Sequence, residues 1–128
     1  MKVIVAGYSK TGTKTMNMVL SELGYENIYD FQEHFYYHRS HWNDIYNGAD
    51  PVPIFKKIYA NVDVVIDCPS YIFWREILEA FPDAKVILVE RDPEKWVKSA
   101  ETQINTMHKD FKFLHTKELG FETENFSA

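Results

Sequence analysis

"GYSKTGTKTM" (residues 7–16) carries glycines at positions 7 and 12, the spacing of a phosphate-binding loop of the form G-x-x-x-x-G-K-[ST], but lacks the lysine that should follow the second glycine. Thr13 stands there instead, with Lys10 two residues before Gly12 and Lys14 two after it. Upstream, Lys2–Ala6 is a short apolar run of β-branched residues, which suits a buried parallel strand. Downstream, Met16, Val19, Leu20 and Leu23 recur at helical spacing until Gly24, a good helix stop. Strand, tight turn and helix make half of a βαβ unit.

The alternation continues along the chain. Val62–Ile66 predicts a second strand, closed by Asp67. Ile72, Trp74, Ile77, Leu78 and Phe81 then predict a helix over 71–81 that ends at Pro82. Val86–Val89 predicts a third strand. After it Asp92 suits an N-cap, Pro93 the first helical position, and Trp96, Ala100, Ile104 and Met107 one apolar face. Between Gln32 and Ala60 the pattern gives two short helices, around Trp42–Tyr46 and Ile54–Tyr59, broken at Asp50–Pro53. The fold class expected is α/β: a three-layer parallel sheet flanked by helices, with right-handed crossovers. The domain is expected to occupy residues 1–108, with 109–128 as a short helix and tail.

A chain of 128 residues, 45% apolar and 16% aromatic, can bury one substantial core. The net charge of −5 argues against general affinity for nucleic acid or an anionic membrane, while leaving room for a local basic patch. Cys68 is the only cysteine, so there is no internal disulfide, in keeping with a reducing compartment. The apolar run Val3–Ala6 is too short for a signal sequence or a membrane span, so a soluble cytoplasmic protein is expected.

In an open parallel sheet, ligands gather beyond the carboxyl ends of the strands. The glycine loop, Asp67-Cys68-Pro69 and Arg91-Asp92-Pro93 all follow predicted strands, and their convergence is the main argument for a site. Backbone N–H groups of Thr11–Lys14, at the start of a helix, suit a phosphate or sulfate, with the Thr13 and Thr15 hydroxyls as further donors and Lys10 projecting over the anion. Each element also has a plain reading: a connecting turn, a solvated lysine, a surface ion pair between Arg91 and Asp92 or Glu94, a helix-capping Asp67. His34 and His38 lie one helical turn apart in "FQEHFYYHRSHW" (residues 31–42), but no partner ligands accompany them, so no metal site is expected. That stretch suits either an aromatic wall of a ligand pocket or ordinary packing on the sheet.

Tyr8-Ser9-Lys10-Thr11-Gly12-Thr13-Lys14-Thr15 resembles the 5′-phosphosulfate loop of the sulfotransferases, in which a basic residue precedes a [ST]-G-T turn. Arg91-Asp92-Pro93 with Ser99 eight residues on is similar to that family's 3′-phosphate element. Asp67-x-Pro69 with Phe73-Trp74, and Pro82–Leu88, resemble the uncharacterised sulfotransferase-like branch. The resemblance covers about residues 1–105. It implies a P-loop type of sheet and metal-independent transfer of a sulfuryl group from 3′-phosphoadenosine 5′-phosphosulfate (PAPS, leaving PAP) to a hydroxyl or amine of a small-molecule acceptor. Lys10, Thr11, Gly12, Thr13, Lys14, Thr15, Arg91 and Ser99 would hold the donor. Lys10 would also stabilise the leaving oxygen, and Asp67, where many members carry a catalytic histidine, would be either the base or a structural cap. His34, His38, Trp42 and Phe73 would line the acceptor pocket. The late basic loop of the family, often Arg-x-x-Lys-Gly, is not found, so the chain is expected to be a truncated or degenerate member, or one whose missing wall comes from a second copy in a homodimer. Two rivals stand beside this: a P-loop kinase using ATP and Mg²⁺ with Asp67 ordering the metal, and a nucleotide-binding domain without catalysis.

Overall fold

Val3, Ile4 and Val5 point alternately to opposite faces of one strand, as extended backbone requires, and all three are buried, because different helices cover the two faces. The computed structural model describes residues 1–117, with side chains described as far as Lys109. Its elements are β1 (Val3–Val5), α1 (Thr13–Glu22), β2 (Ile28–Tyr29), α2 (Phe31–Tyr46), α3 (Pro51–Ile58), β3 (Val64–Val65), α4 (Trp74–Ala80), β4 (Lys85–Ile87) and α5 (Pro93–Lys117). The four strands form one parallel sheet in the order β2-β3-β1-β4, with Val3 beside Val64 and Lys85, and Ile28 beside Val64. This is the α/β architecture expected, a parallel sheet flanked by helices.

On one face Val3, Val5, Val64 and Ile66 pack with Leu20 and Met16 of α1. On the other, Ile4 and Val65 pack with Trp42 and Ile45 of α2, Phe55, Ile58 and Tyr59 in and beside α3, and Ile77 and Ala80 of α4. The second face is aromatic. Phe55 and Tyr59 stack at 5.6 Å between ring centres, and Trp42 lies 5.5 Å from Phe55 and 5.6 Å from Phe73. Burying one such ring stabilises the fold by roughly 2–3 kcal/mol from area alone.

Three differences from the sequence-based expectation have local causes. β2 is a two-residue strand whose residues are only half-buried, so it leaves no apolar run to read. α2 begins at Phe31 and not near Trp42: Asp30 and Glu33 form a capping box, and the helix passes through a kink at His38 (φ −132°, ψ 23°). Pro51-Val52-Pro53, expected to break the chain, instead opens α3, with the Asp50 side chain accepting from the Val52 N–H at 3.1 Å.

The chain divides into two compact units at Glu90/Arg91, the first holding the sheet and α1–α4. In the second, Asp92 caps α5 through the N–H of Lys95 at 3.0 Å, as its position implied. Residue 108, the expected end of the domain, falls inside α5. Of the short helix and tail expected over 109–128, residues 118–128 lie outside the described residues. No described helix is long and apolar enough to cross a membrane.

Candidate functional site

The loop after β1 is shaped by one close approach and two left-handed residues. A Cβ on Gly7 would stand 2.7 Å from the Val89 carbonyl oxygen and 3.0 Å from Thr11 Oγ1, so only glycine fits where the loop passes the chain after β4. Lys10 (φ 69°) and Gly12 (φ 100°) are left-handed. Gly12 is the N-cap of α1 and brings no side-chain oxygen to its first turn, and the space beside Gly12 is open. Amide hydrogens at an uncapped helix start, carrying the positive end of the helix dipole, suit an anion.

The hydroxyls of the loop face its own scaffold. Thr11 Oγ1 donates to the Tyr8 carbonyl at 2.6 Å. Ser9 Oγ and Thr13 Oγ1 both donate to Asp67, Thr13 at 3.2 Å and Ser9 by a short bond. The Thr13 hydroxyl is thus directed to Asp67, while its backbone N–H stands at the helix start. Thr15 is exposed on the first turn of α1. Lys14 extends to Asp30, with Nζ 3.2 Å from Oδ2.

Asp67 follows β3 in a left-handed conformation (φ 68°). Its Oδ1 takes the Ser9 hydroxyl and the Cys68 N–H (2.6 Å), its Oδ2 the Thr13 hydroxyl, and its carbonyl the Ser70 hydroxyl (2.8 Å) and the Tyr71 N–H (3.1 Å). The carboxylate thus ties the end of β3 to both sides of the glycine loop.

Sequence reasoning missed Asp30, although the Asp-x-x-Glu pattern of its capping box was there to be read. It is 4% exposed and accepts from the Phe31 N–H (2.7 Å), Asn17 Nδ2 (3.2 Å) and Lys14. Burial pushes its carboxyl up, but these donors outweigh burial and hold it below the usual carboxylate value. Through it the first turns of α1 are joined to the start of α2.

The four residues assigned to the acceptor pocket separate. His34 is fully buried: its Nε2 lies 3.2 Å from the Ile66 carbonyl and its Nδ1 3.0 Å from the Tyr59 hydroxyl. A carbonyl only accepts, so Nε2 carries the proton and Nδ1 accepts from Tyr59. Burial depresses this imidazole to about 4, against weaker support from the Ile66 carbonyl. Phe73 packs among Trp42, Phe55 and Tyr46. His34 is a core residue, a correction to the expected wall, whereas Phe73 is half-buried and packs against the core. His38 sits at the kink, stacked on Tyr29 at 5.7 Å. Trp42, 1% exposed, borders a cavity of about 780 Å³ along α2, with Phe31, Phe35, Tyr36, Arg39 and Tyr46. The Trp42 Nε1–H is buried without a hydrogen-bond partner among the described residues.

Arg91 and Ser99 belong to the second unit, Arg91 exposed just before α5 and Ser99 half-buried upon it. Among the described residues no three His, Cys, Asp or Glu side chains are grouped to hold a metal ion.

A family model described as "Sulfotransferase domain" matches residues 2–126. The chain is also similar to "Ava biosynthesis cluster protein M" of Aspergillus versicolor, 31% identical over 120 residues. That match covers 84% of this chain and 44% of the relative, so the chain spans less than half the length of the relative it matches. A parallel sheet whose first strand runs into a glycine-shaped loop and an uncapped helix, together with these matches, places the chain in the sulfotransferase family.

Proposed function

We propose that the chain carries the donor-binding centre of an enzyme that moves a sulfuryl group from PAPS to a hydroxyl or amine of a small-molecule acceptor. The observation that carries this is the loop itself: Lys10 and Gly12, both left-handed, lead into a helix start with no side-chain cap. The 5′-phosphosulfate end of the donor would lie against the amides of Thr11–Lys14. As the S–O bond breaks, negative charge grows on the bridging oxygen of the departing phosphate. A cation there stabilises the transition state more than the ground state, and Lys10 would supply it. Arg91, with its two-pronged guanidinium, and Ser99 would take the 3′-phosphate. The aromatic cavity along α2 would receive the acceptor, with Trp42 in its lining and Asp30, the cap of that helix, tying it to the donor loop.

Calorimetry with PAP in the presence of a chelator tests this: stoichiometric binding without metal is expected. One contact favours a second reading, a kinase. Thr13 and Asp67 are hydrogen-bonded, and P-loop nucleoside triphosphatases hold Mg²⁺ with a loop hydroxyl and an aspartate after a strand. Binding of ATP with Mg²⁺ in preference to PAP would sink the sulfuryl-transfer proposal and install the kinase.

A further inference from the structure

Asp67 was open to two roles in the sequence, a base that takes the acceptor's proton or a structural cap, and the hydrogen bonds around it bear on that choice. An ionised carboxylate offers about four lone-pair directions. Ser9 Oγ–H, the Cys68 N–H and Thr13 Oγ1–H occupy three of them, two on Oδ1 and one on Oδ2. Two of these donors lie on either side of Gly12, in the loop and at the first position of α1. They come from chain 58 and 54 residues away from Asp67. Lys10, a non-glycine residue held left-handed within the loop, is in a costly conformation that surrounding contacts must hold, and this carboxylate grips the loop from both ends.

We propose that Asp67 is a positioning residue: by accepting hydrogen bonds from the Ser9 and Thr13 hydroxyls it fixes the loop in its anion-binding shape. The proposal rests on the donor-binding function above. It goes further, because it assigns Ser9 and Thr13 a shared task in donor affinity that neither performs by touching the donor through its hydroxyl. Because each hydroxyl has a single proton and spends it on Asp67, the anion is met by backbone amides and Lys10.

The test compares the wild-type chain with Asp67→Asn and with Ser9→Ala/Thr13→Val. Asparagine tolerates the left-handed backbone at position 67, and its amide can still accept on oxygen but cannot accept from Thr13 on nitrogen. Two readouts are taken: PAP affinity by calorimetry, and amide hydrogen exchange of residues 8–13. Both variants are expected to lose about tenfold in PAP affinity and to exchange faster in the loop, with β1 and β3 protected as in the wild type. Adding Asp67→Asn to the double variant should cost little more, because the grip is already gone. Wild-type affinity and wild-type loop exchange in Asp67→Asn would overturn the positioning role. Full additivity of the two sets of changes would also overturn it. If the wild-type chain binds no PAP, the donor-binding function falls, and loop exchange in the same variants still decides whether Asp67 holds the loop.

Discussion

Lys14 Nζ lies 3.2 Å from Oδ2 of Asp30, so the second lysine of the glycine loop is directed to the cap of α2. Asp30 is depressed below the ordinary carboxylate value, so its contribution is complete above about pH 4 and is lost as pH falls through the folded-state value. Asp30→Asn keeps a capping side chain but removes the charge. At pH 7 it should cost about 1 kcal/mol, a few degrees in Tm, and thermal melts of the two proteins should converge as the pH is lowered below about 4.

His34 adds an acid sensitivity of the same sign in a higher pH window. Its folded-state value of about 4 lies below the ordinary 6.5, so the unfolded chain binds the extra proton first. Stability is then complete above pH 6.5 and declines as the pH falls toward 4, by roughly 3 kcal/mol. Denaturant melts at steps across that range should show the decline in the wild type. His34→Gln should flatten it while lowering stability at pH 7, since Tyr59 and the Ile66 carbonyl keep only imperfect partners.

Two glycines should fail for different reasons. Gly7→Ala places a methyl 2.7 Å from a backbone oxygen, and should cost about 1–3 kcal/mol as strand end or loop gives way, with PAP affinity falling too. Gly24→Ala meets open space but keeps φ at +94°, and should cost about 1 kcal/mol of backbone strain with PAP binding unchanged. Melts and calorimetry on both variants check the contrast.

Lys10→Met should reduce sulfuryl transfer by about 10²–10³-fold, the usual loss of one donor to developing charge, while PAP affinity changes far less. Single-turnover transfer from PAPS, measured beside PAP calorimetry, separates the two. Unaltered transfer would remove the role given to this side chain.

Arg91→Ala should weaken binding of PAP, which carries a 3′-phosphate, about tenfold or more, and spare adenosine 5′-phosphosulfate, which lacks it. Competition between the two nucleotides on one sample reads the discrimination directly. Equal losses would detach Arg91 from the 3′-phosphate.

Much of the architecture was legible because its signals are local. β-branched runs before Gly7, Asp67 and Arg91 marked three of the four strands, and the Asp92–Pro93 pair marked the start of α5. Pairing alone creates β2, where two residues align with Val64 and Val65, so composition could not announce it. The site divided along the same line. The position of the loop could be read, since glycine spacing and a following helix are features of sequence. Where its side chains point could not, because that depends on carboxylates supplied by Asp30 and Asp67 from distant strand ends. His34 misled for a related reason: an imidazole satisfied by a carbonyl and a phenol looks, in sequence, the same as one lining an open wall.

The inward turn of Ser9, Thr11 and Thr13 has a chemical corollary. A nest built of peptide hydrogens senses the shape and charge of a tetrahedral oxyanion but is blind to its central atom, so such a nest would greet sulfate, phosphate, selenate and vanadate alike. On the proposed function, fidelity for sulfur would then be exercised at the moment of bond breaking, by the chemistry of the leaving group, more than when the anion is captured.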